Sequence, residues 1–325
     1  MNQFWKEVRL AGIMGLVVPG ILLGAVVALW DDGPAEQQEM EILSTQPTQI
    51  TETAQMQVSV LSEGTVTEME LSNYLTGVVL AEMPASFETE ALKAQAVVAR
   101  TYAIRTCQRG KKHPSGAVCT DSTCCQGYLS KAAYLDQGGK QESIDKVRTA
   151  VRETENLVLS YQGELIEATY FSCSGGSTED AVAVWGTDVP YLQAVASPGE
   201  ENAAHYSDTV TFKAEEFASL LGLDLTGAPK SWIGPVSYTE GGGVDTMEIG
   251  GVRFKGTTLR SALGLRSTAF SVSCTNDAVT ITTRGFGHRV GMSQYGADAM
   301  AVNGSTFEEI LSYYYQGTEL TQWID

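Results

Sequence analysis

Residues 80–96 read Leu-Ala-Glu-Met-Pro-Ala-Ser-Phe-Glu-Thr-Glu-Ala-Leu-Lys-Ala-Gln-Ala, and they set the junction between two helices. Proline cannot occupy a helix interior, and it biases the residue before it away from helical angles. The helix that precedes Pro84 is therefore expected to end near Glu82. Apolar residues at three- and four-residue steps predict a second helix over about residues 88–108. A carboxylate thus closes one helix just before the turn into the next.

Composition and charge exclude several classes of protein. The chain has 325 residues, 43% of them hydrophobic, which excludes disorder of the whole chain and fits one or two domains. It carries 39 acidic and 21 basic side chains, a formal net charge of −18. This acidity argues against nucleic acid as a partner, because phosphates are neutralised by clustered Lys and Arg. A single long uncharged run excludes a membrane protein with many spans.

That uncharged run predicts a membrane anchor near the N-terminus. It extends from Leu10 to Trp30, close to the roughly 20 residues that a membrane-spanning helix needs. Basic residues precede the run and acidic ones follow it, so residues 1–9 are expected in the cytoplasm and the rest outside. A cleaved signal peptide is the alternative, although its apolar core usually has only about 7–15 residues. The length favours the uncleaved single-pass anchor, and both interpretations export the bulk of the chain.

The exported part divides into a tether and a body. Residues 31–56 hold six carboxylates and no Lys or Arg, and such a stretch cannot bury enough apolar area to fold, so a flexible acidic tether is expected. From residue 57 to residue 325, helical and strand patterns alternate, which predicts an α+β fold with a mixed helix/strand body. The segment from about residue 198 to 276 has its own short helical patterns and a Gly-Gly-Gly turn, and it is interpreted as an inserted smaller subdomain.

Glu82 stands where a carboxyl group is expected to hold its proton. The C-terminal end of a helix carries a partial negative charge, which disfavours an anion there. The apolar neighbours Leu80, Ala81 and Met83 disfavour the charge further by removing water. Both effects raise a carboxyl pKa, as a general acid near neutral pH requires. On this pattern alone, an exposed glutamate at a frayed helix end is the alternative interpretation.

Three blocks of the sequence resemble those of the stage II sporulation protein D family, lytic transglycosylases of bacterial peptidoglycan. The blocks are Glu82–Phe87 with Glu90–Ala96 and Ala99–Ala103, then Tyr170–Gly176, and then Arg284–His288 with Gly291–Ala297. They follow the family's order and extend the resemblance over roughly residues 57–325. Cys173 and Arg289 depart from the family pattern, which has a small hydroxyl residue and commonly glycine there. Whether Cys173 pairs with Cys274 is left open.

The resemblance implies a reaction that needs one carboxyl group. Glu82 matches the family's catalytic glutamate, and it would protonate the glycosidic oxygen between N-acetylmuramic acid and N-acetylglucosamine. The resulting carboxylate would take the proton of the muramic 6-hydroxyl as that oxygen attacks C1, leaving a 1,6-anhydro end. Ordinary glycoside hydrolysis uses two carboxyl groups instead. The family also implies septal wall thinning and engulfment during endospore formation, from the mother-cell membrane facing the septum.

One loop carries a possible metal site. His113, Cys119 and Cys125 lie within it, and zinc prefers such ligands, often three of them with a fourth position open. A disulfide framework is the alternative, because exported proteins form disulfides and the chain has six cysteines. The loop is similar to the His–Cys–Cys loop of zinc-binding family members, and this resemblance favours one zinc ion. Cys124 is either a further ligand or a bystander.

Several polar residues are candidates for binding the glycan. Lys93 and Arg100 are seven positions apart on one helix and share a face, so they are expected to meet sugar carboxylates or to support Glu82; solvated helix charges are the alternative. Further candidates lie in or near the family blocks and suit sugar amides and hydroxyls, although each is equally suited to a structural hydrogen bond. They are Gln95, Gln126, Tyr170, Ser174, His288 and Gln294.

The resemblance also implies partners and leaves two rival functions open. The expected substrate is peptidoglycan glycan strands stripped of stem peptides, and the expected partners are a sporulation amidase and a membrane scaffold protein of the engulfment machinery. One rival function is a non-catalytic, wall-binding activator of an amidase, as relatives with this domain act. The other is a zinc amidase or peptidase built on His113, although the sequence has no His-Glu-x-x-His motif.

Overall fold

The computed structural model describes residues 56–324, which form an α+β fold of mixed helices and strands, as the sequence predicts. The strands are β1 (Gln57–Ser62), β2 (Thr65–Glu70), β3 (Val118–Cys119), β4 (Leu157–Tyr161), β5 (Glu164–Leu165), β6 (Tyr170–Phe171), β7 (Ser207–Lys213), β8 (Ile233–Tyr238), β9 (Val244–Ile249), β10 (Val252–Lys255), β11 (Phe270–Cys274), β12 (Ala278–Arg284), β13 (Met292–Ser293) and β14 (Glu319–Gln322). The helices are α1 (Leu71–Glu82), α2 (Thr89–Arg109), α3 (Lys131–Asp136), α4 (Gln141–Glu153), α5 (Ala181–Trp185), α6 (Ala214–Leu221), α7 (Gly256–Ala262), α8 (Gln294–Val302) and α9 (Phe307–Tyr314).

The junction predicted from Pro84 is present. Helix α1 ends at Glu82, and Met83 takes the extended angles φ −126 and ψ 142 because Pro84 follows it. Helix α2 packs against α1, α4, α8 and α9, and most of its buried residues are small, chiefly alanine and valine. Small side chains let several helices approach one central helix closely, so α2 becomes the axis of the larger hydrophobic core.

Short strands complete the larger part of the fold. Strands β4 and β5 form a hairpin, and both turn residues, Gln162 and Gly163, have positive φ. Strand β6 pairs in parallel with β13, and this pairing places Tyr170 directly opposite Met292. The second and third family blocks, which are far apart in the sequence, therefore meet in one small sheet.

A second hydrophobic core belongs to the smaller subdomain. It contains Phe217, Trp232, Met247 and Leu259, among others, between the β8–β9–β10 sheet and the β7–β12–β11 sheet. The inserted segment was expected to end near residue 276. In the structure, β12 lies between β7 and β11 and so belongs to the same unit. The local residue composition changes before β12, which suggested the earlier boundary. Pairing of β12 with strands on both sides, which local composition does not reveal, extends the subdomain to include it.

The predicted anchor at residues 10–30 and nearly all of the tether lie outside the described residues. Among residues 56–324, no helix combines the length and the apolar character needed to cross a membrane.

A buried ion pair joins the two cores. Arg289 and Glu179 are 2% and 1% exposed, and Nη1 lies 3.0 Å from Oε1. Arg289 also donates to the carbonyl oxygens of Ser174 (2.8 Å) and of Gly241 (2.7 Å). The Gly243 amide of the smaller subdomain donates to Glu179 at 2.9 Å. The arginine that departs from the family pattern therefore ties the second and third blocks to a turn of the smaller subdomain.

Arg289→Met is expected to destabilise the protein strongly. It leaves Glu179 buried without its cation, and breaking a buried pair from one side costs about 3–5 kcal/mol. The measurement is the free energy of unfolding in urea. Arg148→Met is the matched control, because Arg148 pairs with Asp145 on an exposed surface, where a pair contributes about 0–1 kcal/mol. Equal losses in the two variants would contradict the structural role of the buried pair.

Candidate functional site

Glu82 lies in a large cleft of about 1390 Å³. The cleft is lined by the end of α1, the loop before α3, β6 and the loop at Phe286–His288. Oε1 of Glu82 accepts a hydrogen bond of 2.6 Å from the backbone amide of Gly127. The hydroxyl of Tyr170 and the amide of Gln294 also donate to the carboxylate. Three separate stretches of sequence thus converge on one carboxyl group.

Position 127 requires glycine because of this carboxylate. A Cβ atom on Gly127 would lie 2.9 Å from Oε1 of Glu82 and 3.5 Å from its carboxyl carbon. The first distance is shorter than normal van der Waals contact, so a side chain there would displace the carboxyl group. The glycine lets the backbone of the loop come close enough to donate its N–H.

Burial raises the pKa of Glu82, and the hydrogen bonds from Gly127, Tyr170 and Gln294 oppose this effect without cancelling it. Removal of water disfavours the charged carboxylate, whereas each donor favours it. The group is therefore held in an environment where it can both carry a proton and, after losing it, be stabilised by fixed donors. These are the properties required of a carboxyl group that alternates between acid and base.

A chain of hydrogen bonds orients Tyr170 towards Glu82. The amide of Gln126 donates to the Tyr170 hydroxyl at 3.2 Å, and its carbonyl accepts from the Tyr74 hydroxyl at 3.3 Å. Because Tyr170 accepts from Gln126, its own proton is directed to the carboxylate. Burial, followed by the nearby Glu82 charge, raises the pKa of Tyr170 well above its usual value, so the phenol remains a donor.

Gln294 is supported in a similar way. Its Nε2 lies 3.4 Å from Oε1 of Gln95, to which it donates. Among the candidates named from the sequence, Tyr170 and Gln294 contact Glu82 directly, whereas Gln126 and Gln95 hold those two in place.

His288 lines the same cleft as a neutral ring. Desolvation, followed by the positive charge of Arg260 in the smaller subdomain, lowers the pKa of His288 to about 4. Its Nδ1 accepts from the backbone amide of Val290 at 3.1 Å, and a hydrogen bond with the backbone of Tyr170 partly opposes the lowering of its pKa. Trp185, at the end of α5, lies 5.4 Å from the His288 ring, centroid to centroid. It is 44% exposed and lines the cleft. The sequence analysis missed Trp185, because it lies outside every family block.

Lys93 and Arg100 are not among the residues that line this cleft. Lys93 forms ion pairs of 2.8 Å with both Glu90 and Glu153. Arg100 is buried and donates to the carbonyl oxygens of Val151 and Leu157, both at 3.1 Å. Their shared helix face exists, as expected, but it faces α4 and the start of β4, which supply Glu153, Val151 and Leu157.

Ser174 is also fully buried. Its hydroxyl donates to Glu200 at 2.8 Å, and its backbone amide donates to the same carboxylate at 2.6 Å. The thiol of Cys173 donates to Glu200 at 3.0 Å. Glu200, which the sequence analysis did not identify, is thus a buried anion that organises the second family block. Cys173 does not pair with Cys274, which lies at the end of β11 against the core of the smaller subdomain.

The loop between α2 and α3 brings four potential metal ligands together. The ligand atoms of His113, Cys119, Cys124 and Cys125 all lie within 4.8 Å of one another. Nε2 of His113 is 3.3 Å from Sγ of Cys125 and 3.5 Å from Sγ of Cys124. All six cysteines are among the described residues, and none forms a disulfide. Three thiolates and one imidazole form a donor set typical of tetrahedral zinc, so the residues fit the ion that the sequence suggests.

Local structure explains why Cys124 joins the cluster. Strand β3 places Cys119 in parallel pairing with β1, and Asp121 accepts a 2.8 Å hydrogen bond from the amide of Thr123. The amides of Cys124 and Cys125 both donate to the Asp121 carbonyl, at 3.0 and 2.8 Å. This tight turn directs both adjacent thiols back towards His113. Sequence spacing left Cys124 open because the turn geometry was not evident from it.

Comparison with known proteins identifies the family of the chain. A family model described as stage II sporulation protein matches residues 61–161, which include Glu82 and the loop with His113 and the three clustered cysteines. The chain is 38% identical over 333 residues to Stage II sporulation protein D of Bacillus subtilis strain 168, covering 99% of this chain and 96% of that protein. The chain belongs to the stage II sporulation protein D family. The sequence resemblance is thereby confirmed.

Other relatives of the family carry two different names. Stage II sporulation protein D of Bacillus amyloliquefaciens is 39% identical over 266 residues, covering 80% of this chain and 77% of that protein. A Bacillus subtilis protein named amidase enhancer is 31% identical over 306 residues, covering 77% of this chain and 40% of that protein.

Glu82→Gln is expected to stabilise the folded protein near neutral pH. Because the folded pKa of Glu82 is raised by burial, ionised Glu82 destabilises the fold above that pKa and does not do so below the unfolded value, about 4.3. The variant should therefore have a higher Tm than the wild type near neutral pH. This difference in Tm should become smaller as the pH falls through the pKa of Glu82 in the folded protein. Thermal unfolding across a pH series measures this.

Glu216→Gln, which removes an exposed carboxyl group on α6, is the matched control for the loss of one negative charge. If the Tm difference between Glu82→Gln and the wild type instead grew as the pH fell, this would contradict the burial that raises the pKa of Glu82.

Proposed function

We propose that this protein is a peptidoglycan lytic transglycosylase in which Glu82 is the single acid–base group. The observation that supports this most strongly is the environment of Glu82: a carboxyl group with a raised pKa, bound by three donors, in a cleft of about 1390 Å³. A cleft of this size accommodates several sugars of a glycan strand.

The proposed reaction uses one proton transfer in each direction. Protonated Glu82 donates to the glycosidic oxygen between N-acetylmuramic acid and N-acetylglucosamine as the bond to C1 breaks. The Glu82 carboxylate, stabilised by Gly127, Tyr170 and Gln294, then accepts the proton of the muramic 6-hydroxyl as that oxygen bonds to C1. The products are a free 4-hydroxyl on N-acetylglucosamine and a 1,6-anhydro ring on the muramic acid. Water is not consumed.

The charges in the cleft favour this route over two-carboxylate hydrolysis. Among the described residues that line the cleft, the carboxyl groups are those of Glu82 and Glu167. Glu167 forms an ion pair with Arg105, and Arg109 lies 4.0 Å from it, so its charge is already compensated. A general base that activates water, or a nucleophile, needs a free carboxylate opposite the acid.

The aromatic side of the cleft suits a sugar. Trp185 offers an exposed ring on which the apolar face of a pyranose can stack, and the His288 ring packs beside it. Because His288 stays uncharged near neutral pH, it does not bring a cation next to the proton that Glu82 must hold.

We further propose that one zinc ion is held by His113, Cys119, Cys124 and Cys125. When bound, zinc would cross-link the loop, and a closed set of four protein ligands is typical of structural sites. Gly127 follows the last ligand by two positions, so the ordered loop presents its amide to Glu82. The four-residue set also argues against the zinc amidase alternative, because a catalytic zinc needs an open position.

Zinc content tests this part of the proposal. The purified wild-type protein is expected to contain about one zinc ion per chain by elemental analysis, and Cys119→Ser should lower both the zinc content and the Tm. Cys274→Ser is the matched control, because that cysteine lies outside the cluster. A wild-type protein that is prepared with zinc and retains none would contradict the site, as would equal zinc loss in the control.

The cellular setting proposed here rests on the sequence and on the family. The uncharged run at residues 10–30 supports a single-pass anchor in the mother-cell membrane, with the catalytic body facing the septal wall. A sporulation amidase that removes stem peptides and a membrane scaffold protein are the proposed partners in septal thinning and engulfment. The relative named amidase enhancer favours a second candidate function, activation of an amidase without cleavage of the glycan.

Mass spectrometry of the products from purified, peptide-free glycan strands tests the proposed activity. The wild type should release fragments with 1,6-anhydro-muramic ends, and Glu82→Gln should lower their rate of formation by about 100-fold or more, because general acid–base catalysis contributes roughly 10²–10⁴. Glu216→Gln serves as the control. Full cleavage by Glu82→Gln contradicts the mechanism. A wild type that yields no anhydro ends but stimulates an amidase supports the second candidate.

A further inference from the structure

Few basic side chains line the cleft, although the proposed substrate is an anionic polymer. Among the described residues that line it, Lys112 is the one Lys or Arg, although the whole chain has a net charge of −18. A glycan strand freed of its stem peptides carries a lactyl carboxylate on each muramic acid. An acidic protein can hold such a strand only through local positive charge, because its overall field repels the polymer.

The Lys112 ammonium group is fixed but not saturated. Nζ donates to the Tyr102 hydroxyl at 3.0 Å and also to the carbonyl oxygen of Cys124. An ammonium group has three N–H donors, so one donor remains, and the side chain is exposed on the cleft surface. Two protein contacts hold the cation in place, and the third donor is available to a carboxylate.

Three cations of α2 already have partners, and Arg260, whose charge acts on His288, does not line the cleft. Lys93 pairs with two glutamates, and the guanidinium of Arg100 is buried on backbone carbonyls. Arg105 is paired with Glu167. Each would have to break an existing contact in order to bind a substrate anion, whereas Lys112 would not.

Lys112 also lies near the reacting group. Its partner Cys124 precedes Gly127, the donor to Glu82, by three positions. Three residues of extended chain span at most about 11 Å, so the ammonium group and the Glu82 carboxyl are separated by no more than roughly 16 Å, allowing for the hydrogen bond at each end. A strand that crosses Glu82 can therefore place a lactyl group at Lys112 within a few sugars of the cleaved bond.

We propose that Lys112 binds the lactyl carboxylate of a muramic acid in the cleft and thereby selects glycan strands without stem peptides. The proposal rests on the function proposed above, which makes the cleft a glycan-binding site. On a strand with stem peptides, the lactyl group is an uncharged amide, so the ammonium group loses water without gaining an ion pair. Strands with and without stem peptides are thus distinguished by whether the lactyl group can form an ion pair with Lys112, and not by steric exclusion.

The test measures binding without cleavage. The full-length Glu82→Gln variant, with and without Lys112→Met, is titrated with peptide-free glycan oligosaccharides and with chito-oligosaccharides of equal length, which lack the lactyl group. Lys112→Met should weaken binding of the glycan oligosaccharides by about 10-fold or more, as expected for loss of a hydrogen-bonded charge, and leave chito-oligosaccharide affinity unchanged. Lys112→Arg should retain part of the preference, which should also fall with added salt.

Lys111→Met is the matched control, since Lys111 is adjacent and exposed but does not line the cleft; it should keep the preference intact. Equal weakening of both ligands by Lys112→Met, or an unchanged preference, would overturn the role of Lys112 while leaving the proposed lytic activity in place. Failure of the Glu82→Gln protein to bind either oligosaccharide would instead overturn the glycan site, and with it both proposals.

Discussion

The hydrogen bond from the Gly127 amide to the Glu82 carboxylate is the contact around which the site is arranged. It joins the end of α1 to the loop that carries the cluster of His113 and three cysteines, and glycine is required there because a Cβ would approach Oε1 to 2.9 Å. Because the amide belongs to the backbone, the position of the carboxyl group depends on the course of the whole loop. Whatever orders the loop, its own turn or an ion at the cluster, therefore also helps to fix the position of the Glu82 carboxyl group.

The smaller subdomain contributes to the site from a distance. The buried Arg289–Glu179 pair fixes the glycine-rich loop to a turn of that subdomain, and His288, which immediately precedes Arg289, lines the cleft. Arg260 of α7 helps to keep His288 neutral. Two buried anions, Glu179 and Glu200, are compensated by arginine and by backbone amides. Some of the chain's acidic side chains therefore serve to hold the fold together.

Much of the fold and of the site could be predicted, because their signals are local. Pro84 ends α1 through sterics between adjacent residues, and the cluster containing His113 and Cys125 lies in one short loop. The two residues that contact Glu82 from other elements, Tyr170 and Gln294, were recognisable because they lie in family blocks, and not from any periodicity. Trp185, Lys112 and Glu200 carry no local pattern and lie outside those blocks, so they were missed.

By itself, the sequence determined the placement of a carboxyl group at a helix end, the α+β character of the body and the loop in which the His and Cys candidates for metal binding lie. Only the tertiary structure decided which groups surround that carboxyl and which cation faces the cleft. Helical spacing correctly put Lys93 and Arg100 on one face, yet their charges are taken up by Glu90 and Glu153 and by carbonyl groups near α4. The physical reason is that periodicity specifies which side chains share a face, whereas the partner of that face is set by the packing of distant elements.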